Sequence, residues 1–224
     1  MNSPEIPKKN WLQFAILALP FLIVAAGWSR FPARVPSHWN IRGHPDAWMN
    51  KGPGLLFLPI VNLGIWALFT ALPRLSSNIR ASQQAGRMED VLRIWRLAFT
   101  SYICFLSMLT MAASLGIPVS MDRMIVNGML ILFLIIGNFL GNLRPNKLTG
   151  IRTPWTLRDP EIWRATHRAG ARILFYGCLA LLAMQWFFSG VQLLIVSLGL
   201  LIGCSLWAIA YSYYLFRKKS HAAS

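Results

Sequence analysis

Charge is scarce in this chain, and acidic charge most of all. Only 13% of its 224 residues are charged, and the seven acids, Glu5, Asp46, Glu89, Asp90, Asp122, Asp159 and Glu161, all fall outside the long apolar runs. A proton- or ion-coupled transporter keeps ionisable groups at membrane depth, where their cost marks a function, so that chemistry lacks its usual carriers. Cysteine is equally sparse. Cys104, Cys178 and Cys204 each lie inside an apolar run, an odd number without metal-type spacing, which argues against a disulfide framework and leaves them as small core residues. There is no H-E-x-x-H, no phosphate loop and no nucleophile beside a base, so a zinc protease is disfavoured and neither a catalytic residue nor a cofactor is expected. No A-x-A-like cleavage site follows the first apolar run, which reads as a retained signal anchor. The two halves share no motif and no loop length, as an inverted-repeat transporter would require.

What the chain has instead is apolar length. It is 55% hydrophobic, with a positive mean hydropathy, more than a soluble core of this size needs. Crossing a hydrocarbon layer of about 30 Å takes roughly 20 helical residues. Six runs qualify, near 11–28, 54–73, 97–119, 124–143, 173–189 and 191–216. No charge separates the last two: the stretch between Arg172 and Arg217 is uncharged and about twice as long as one crossing needs, with Ser189 and Gly190 as its natural break. The expected fold class is all-α, an integral membrane bundle of about six transmembrane helices in a single polytopic domain over 1–224. Its outer motif loop is 29–53 and its cytoplasmic motif loop 144–172.

A net charge of +15 suits nucleic acid when it sits on a polar fold. Here the basic residues fall between apolar runs, so no direct nucleic-acid partner is expected. They read as topology signals and headgroup contacts. Lys8, Lys9, Arg74, Arg80, Arg87, Arg93, Arg96, Arg144, Lys147, Arg152, Arg158, Arg164, Arg168, Arg172, Arg217, Lys218 and Lys219 share one side of six crossings; only Arg30, Arg34, Arg42, Lys51 and Arg123 share the other. The excess predicts both termini in the cytoplasm, with the lipid bilayer as the first partner.

Polar residues inside the runs are Asn62, Asn127, Asn138, Gln185 and Gln192, joined by Gly64, Gly128, Gly137, Gly199 and Gly203. Interhelical hydrogen bonds and close packing account for such residues in lipid. The alternative is a polar pathway, that of a small-molecule permease or channel, which would bring Asn62, Asn138 and Gln185 onto one cavity.

Between the first two runs stands VPSHWNIRGHPDAW, residues 35–48. Pro36 and Pro45 interrupt any helix and Gly43 permits a tight turn, so a shaped loop is expected. His38, His44 and Asp46 are weak candidates for a metal, their spacing matching no known motif. A structural loop, or an extracellular recognition surface, is the other reading of Pro36, His38, Trp39, Asn40, Gly43 and Asp46. A membrane enzyme acting on lipid or cell-wall precursor, with His38 and Asp46 as acid and base, is a third. Trp28, Phe31, Trp39 and Trp48 belong at headgroup level.

The second unusual stretch is NKLTGIRTPWTLRDPEIWRATHRAGARIL, residues 146–174. Asp159, Pro160 and Glu161 spell a helix start: a capping carboxylate, proline at the first helical position and an acid at the positive end of the dipole. On that helix Trp163 and His167 share a face, and so do Arg164, Arg168 and Arg172, a stripe suited to anionic headgroups. His167 is expected to be a hydrogen-bonded structural residue. Ahead of it Gly150, Arg152, Thr153, Pro154 and Trp155 form a polar-aromatic hook suited to phosphate or a protein partner.

Taken together, the two stretches resemble known families. Pro36, His38, Trp39, Asn40, Gly43 and Asp46 make the pattern P-x-H-W-N-x-x-G-x-x-D, which looks like a bacterial membrane domain of unknown function. Gly150 to His167 make G-I-R-T-P-W-T-L-x-D-P-x-x-W-x-x-T-H, which resembles the hook of the SdpI family of multi-pass immunity proteins. The resemblance covers nearly the whole chain. It implies a bacterial cytoplasmic membrane protein, not an enzyme, that gives resistance to a secreted SdpC-type toxin peptide. It also implies signalling, in which the loaded protein holds a cytoplasmic repressor at the bilayer.

Overall fold

In lipid a backbone can satisfy its hydrogen bonds only within itself, so uninterrupted apolar stretches must be helical. A computed structural model describes residues 11–75, 85–146 and 149–222. Glu5, Lys8, Lys9, Arg80 and Lys147 lie outside the described residues. The long helices are α1 (Trp11–Gly27), α2 (Lys51–Leu75), α3 (Ala85–Ser114), α4 (Met121–Leu140), α6 (Pro160–Met184) and α7 (Gly190–Ala222); α5 (Pro154–Arg158) is a single short turn. Six of these helices are long and apolar enough to cross a membrane. Helices outrun the apolar runs at their polar ends, as α2 does from Lys51 and α6 from Pro160. Hydropathy marks the part lipid covers, while backbone hydrogen bonding continues into capped polar turns.

The segment expected as a shaped loop takes that shape as a β-hairpin, a strand pairing the loop reading did not include. Strands β1 (Arg34–Trp39) and β2 (Pro45–Asn50) pair antiparallel, and β2 runs directly into α2. Proline disfavours helix here but not strand, and every strand of a two-stranded ribbon is an edge strand, where proline is tolerated.

Two halves share the molecule. α1, α2 and α3 pack together with the hairpin, while α4, α6 and α7 pack on one another, the α4 to α6 pairing being the most extensive between helices. Thr100 on α3 joins the first half, its hydroxyl accepting from Gln13 of α1 and its carbonyl from Asn62 of α2. A cluster of Val126, Leu130, Leu174, Cys178 and Leu193 fills the second. A crevice of about 430 Å³ separates α3 from α4, apolar apart from Ser101, Tyr102 and Asn127. At one end the halves are bridged by Met88, Val91, Leu92 and Trp95 packing on Leu140, Leu143 and Trp163.

Asn62, Asn138 and Gln185 do not come together. Asn62 bonds Thr100, Gln185 accepts from Asn127 at 2.5 Å, and Asn138 is exposed. Of the glycines, Gly128 meets Tyr102 and Gly137 the backbone of Phe175, whereas Gly64, Gly199 and Gly203 face open space. Of these five, only the first two serve close packing.

Candidate functional site

The hairpin turn follows from its own residues. The Gly43 N–H donates to the Asn40 carbonyl and the Asn40 N–H to the His44 carbonyl, both at 2.9 Å, with Gly43 at φ +76°. That is a three-residue loop closed by a left-handed residue, the position glycine fills without a steric penalty. The Asn40 side-chain oxygen accepts from the N–H groups of Arg42 and His44 and holds the turn from within. Register shifts on either side of His38 let it reach Asp46, which is not its backbone partner, and Nδ1 meets Oδ1 at 2.5 Å. Both side chains are exposed, so the pair contributes about 0–1 kcal/mol and serves to orient the imidazole. His44 does not join it: among the described residues no three His, Cys, Asp or Glu side chains converge. The hairpin also presents Ile41 and Trp48, 64% and 49% exposed, while Met49 pairs with Val35.

The body of the hairpin is anchored. Val35 is fully buried with Phe31 against Val24, Leu55 and Met111, and a Cβ on Gly54 would lie 2.3 Å from its Cγ2. Lys51 donates to the carbonyls of Trp28 and Phe31 and lies over the Trp28 ring. The tip rests on α4, where a Cβ on Gly43 would fall 2.9 Å from the Asp122 nitrogen. The Asp122 carboxyl in turn abuts Gly190 at the start of α7. Arg123 donates to the carbonyls of Gln185 and Phe188, tying the turn between α6 and α7 to the same place.

At the other end of the bundle the second motif folds into a latch. Thr153 and Thr156 form a reciprocal capping box around α5, and the Thr153 hydroxyl meets Ser212 of α7 at 3.1 Å. Trp155 packs on Tyr213 and Phe216 of α7. Asp159 caps α6 through the N–H groups of Glu161 and Ile162. Lys219 bonds both Asp159 and Glu161 at 2.7 Å. The Asp159 carboxyl is held below its usual range, chiefly by Lys219 and further by those backbone donors.

Trp163 and His167, both fully buried, stack at 4.1 Å. The indole N–H donates to the Leu143 carbonyl. His167 Nδ1 faces the Trp163 carbonyl at 2.8 Å and Nε2 receives the Ile151 N–H at 2.9 Å. Only a neutral ring protonated on Nδ1 satisfies both. Gly150, at φ +101°, makes room: a Cβ there would lie 2.4 Å from Nε2.

Residues 15–63 match a family described as a domain of unknown function (DUF1648), and residues 142–212 match the SdpI/YfhL protein family. Over 211 residues the chain is 28% identical to the protein named Immunity protein SdpI of Bacillus subtilis (strain 168), covering 94% of this chain and 97% of that one. The chain resembles the SdpI/YfhL family. No solved structure matches it.

The chain is thus a multi-pass bacterial membrane protein, with the hairpin inside its first matched segment and the motif that forms the latch inside its second. In the latch Gly150, Thr153, Trp155, Asp159, Trp163 and His167 face into the protein's own contacts, while Arg152 and Pro154 are exposed. In the hairpin Asn40 and Gly43 shape the turn and Pro36 is buried, leaving His38, Asp46 and half-buried Trp39 toward the surface. Sequence reasoning missed Val35, Gly54, Asp122 and Ser212. Gly54 alone carried a signal, a poor helix former just inside a helix start; the others matter only through contacts across the fold.

Proposed function

We propose that this protein confers immunity, the role its relative's name states for that protein, and that it acts against a secreted, membrane-active peptide. The observation that carries the reading is likeness along nearly the full length of both chains. Sequestration requires no bond to be broken, so the reading is of a non-enzymatic protein that binds or excludes the peptide.

The hairpin is the recognition surface of this reading. Ile41 and Trp48 offer exposed apolar area, and the His38–Asp46 pair offers an oriented polar contact on the same hairpin, the combination an amphipathic peptide meets best. Anchoring through Val35, Lys51 and Gly43 leaves little ordering cost to binding. The predominance of Lys and Arg on one side of the crossings supports an extracytoplasmic hairpin and cytoplasmic termini. The latch then faces inward. Its exposed Arg152, Leu157 and Arg158 are the surface on which a cytoplasmic repressor would be held.

The test is survival of a sensitive bacterium that makes this chain when challenged with an SdpC-type peptide. Protection by the parent, lost in His38→Ala protein present at equal membrane abundance, is expected. Arg152→Ala should protect normally and lose only the inward response. Death of cells carrying well-inserted parent protein would overturn the immunity reading.

A further inference from the structure

Where α4 ends against α6, a cavity of about 240 Å³ is lined by Arg144, Arg164, Arg168 and Arg172 together with Gly141 and Asn142. Three of these arginines recur one turn apart on α6, an arrangement in which like charges repel, and Arg144 comes from the segment after α4. No carboxylate lines the cavity, and among the described residues none of the four arginines makes an ion pair. The acids at the head of α6, Asp159 and Glu161, are engaged by Lys219, and Asp90 pairs with Arg93. The carboxyl end of α4 supplies about half a negative charge, far short of four guanidinium groups. Solvation by water suffices for scattered surface arginines, but these converge on one concave site at the polar flanks of two long apolar helices, where basic side chains meet anionic headgroups.

We propose that this cavity binds a phosphate group, and that an anionic phospholipid supplies it. Guanidinium forks match the paired oxygens of phosphate, and several together provide the charge a phosphodiester needs. The site stands apart from the hairpin and from toxin recognition. It would fix a lipid against the α4 to α6 pairing, the most extensive helix contact in the bundle.

Two measurements on the purified full-length chain test this. In the first, protein from vesicles of equal phosphatidylglycerol and phosphatidylcholine is examined by native mass spectrometry for retained lipid. In the second, inorganic phosphate is titrated calorimetrically into protein in neutral detergent. The Arg144→Gln/Arg168→Gln protein is compared with Arg42→Gln/Arg93→Gln, which loses the same charge elsewhere. A phosphatidylglycerol preference that falls about tenfold in the first variant and holds in the second supports the proposal with lipid as the source. Phosphate binding lost in the first variant, without any lipid preference, supports the cavity with free phosphate as the source. Absence of both, or equal loss in both variants, overturns it. Should the first variant fail to fold, Arg164→Gln/Arg172→Gln replaces it.

Discussion

Gly150 and His167 depend on each other at a single contact. A side chain at Gly150 is strained by its φ of +101° and also collides with the imidazole. Gly150→Ala should therefore lower stability by about 1–3 kcal/mol, read as reversible unfolding in mixed micelles. His167→Ala strands the Ile151 N–H and the Trp163 carbonyl contact, for a cost of about 1–3 kcal/mol. If His167→Ala unfolds like the parent yet abolishes protection, the histidine has a working role and not a structural one. His38 presents the opposite case. Its pair with Asp46 is exposed, so His38→Ala should change stability by less than about 1 kcal/mol, and any lost protection is a loss of recognition.

At the scale of elements, the hairpin is positioned by one interlock. Gly54→Ala drives a methyl into Val35, an overpacking worth about 1–3 kcal/mol. Val35→Ala removes the colliding methyls, so the loss in the double variant should fall short of the sum of the two single losses by at least about 0.5 kcal/mol. Additive losses would mean that the hairpin sits elsewhere. The latch responds to acid. Because the Asp159 carboxyl titrates lower folded than unfolded, its contribution is complete above the ordinary carboxylate pKa of about 3.9 and is lost as pH falls through the lowered value. Hydrogen exchange of the α7 tail, corrected for intrinsic rates, should accelerate below about pH 4 in the parent. In Asp159→Asn protein the tail should exchange faster already at neutral pH.

For the whole molecule, six crossings put both ends on one side, and the placement of Lys and Arg decides which. A fluorescent protein fused after Ser224 should glow, and a phosphatase inserted at Arg42 should be active in the same cells. The reverse pattern would invert the bundle and remove the hairpin from any secreted peptide. The crevice between α3 and α4 marks the thinner seam of the structure. The halves are held together at its ends, by Asp122 beneath the hairpin tip and by Trp163 with Leu143 at the latch.

Much of this was legible in the chain. Hydropathy adds residue by residue, so the six helices, their membrane setting and the helix start at Asp159-Pro160-Glu161 could be read locally, and the two motifs stood out against the apolar runs. The pairing of His38 with Asp46 was not legible, because it depends on a strand register that a loop reading lacks. Nor was the burial of His167 against Gly150, or the seat Asp122 provides for Gly43 and Gly190. These contacts join residues that no periodicity links. Composition and pattern determined that the chain forms membrane helices; packing between distant segments decided which motif residues stay inside the fold and which meet a partner.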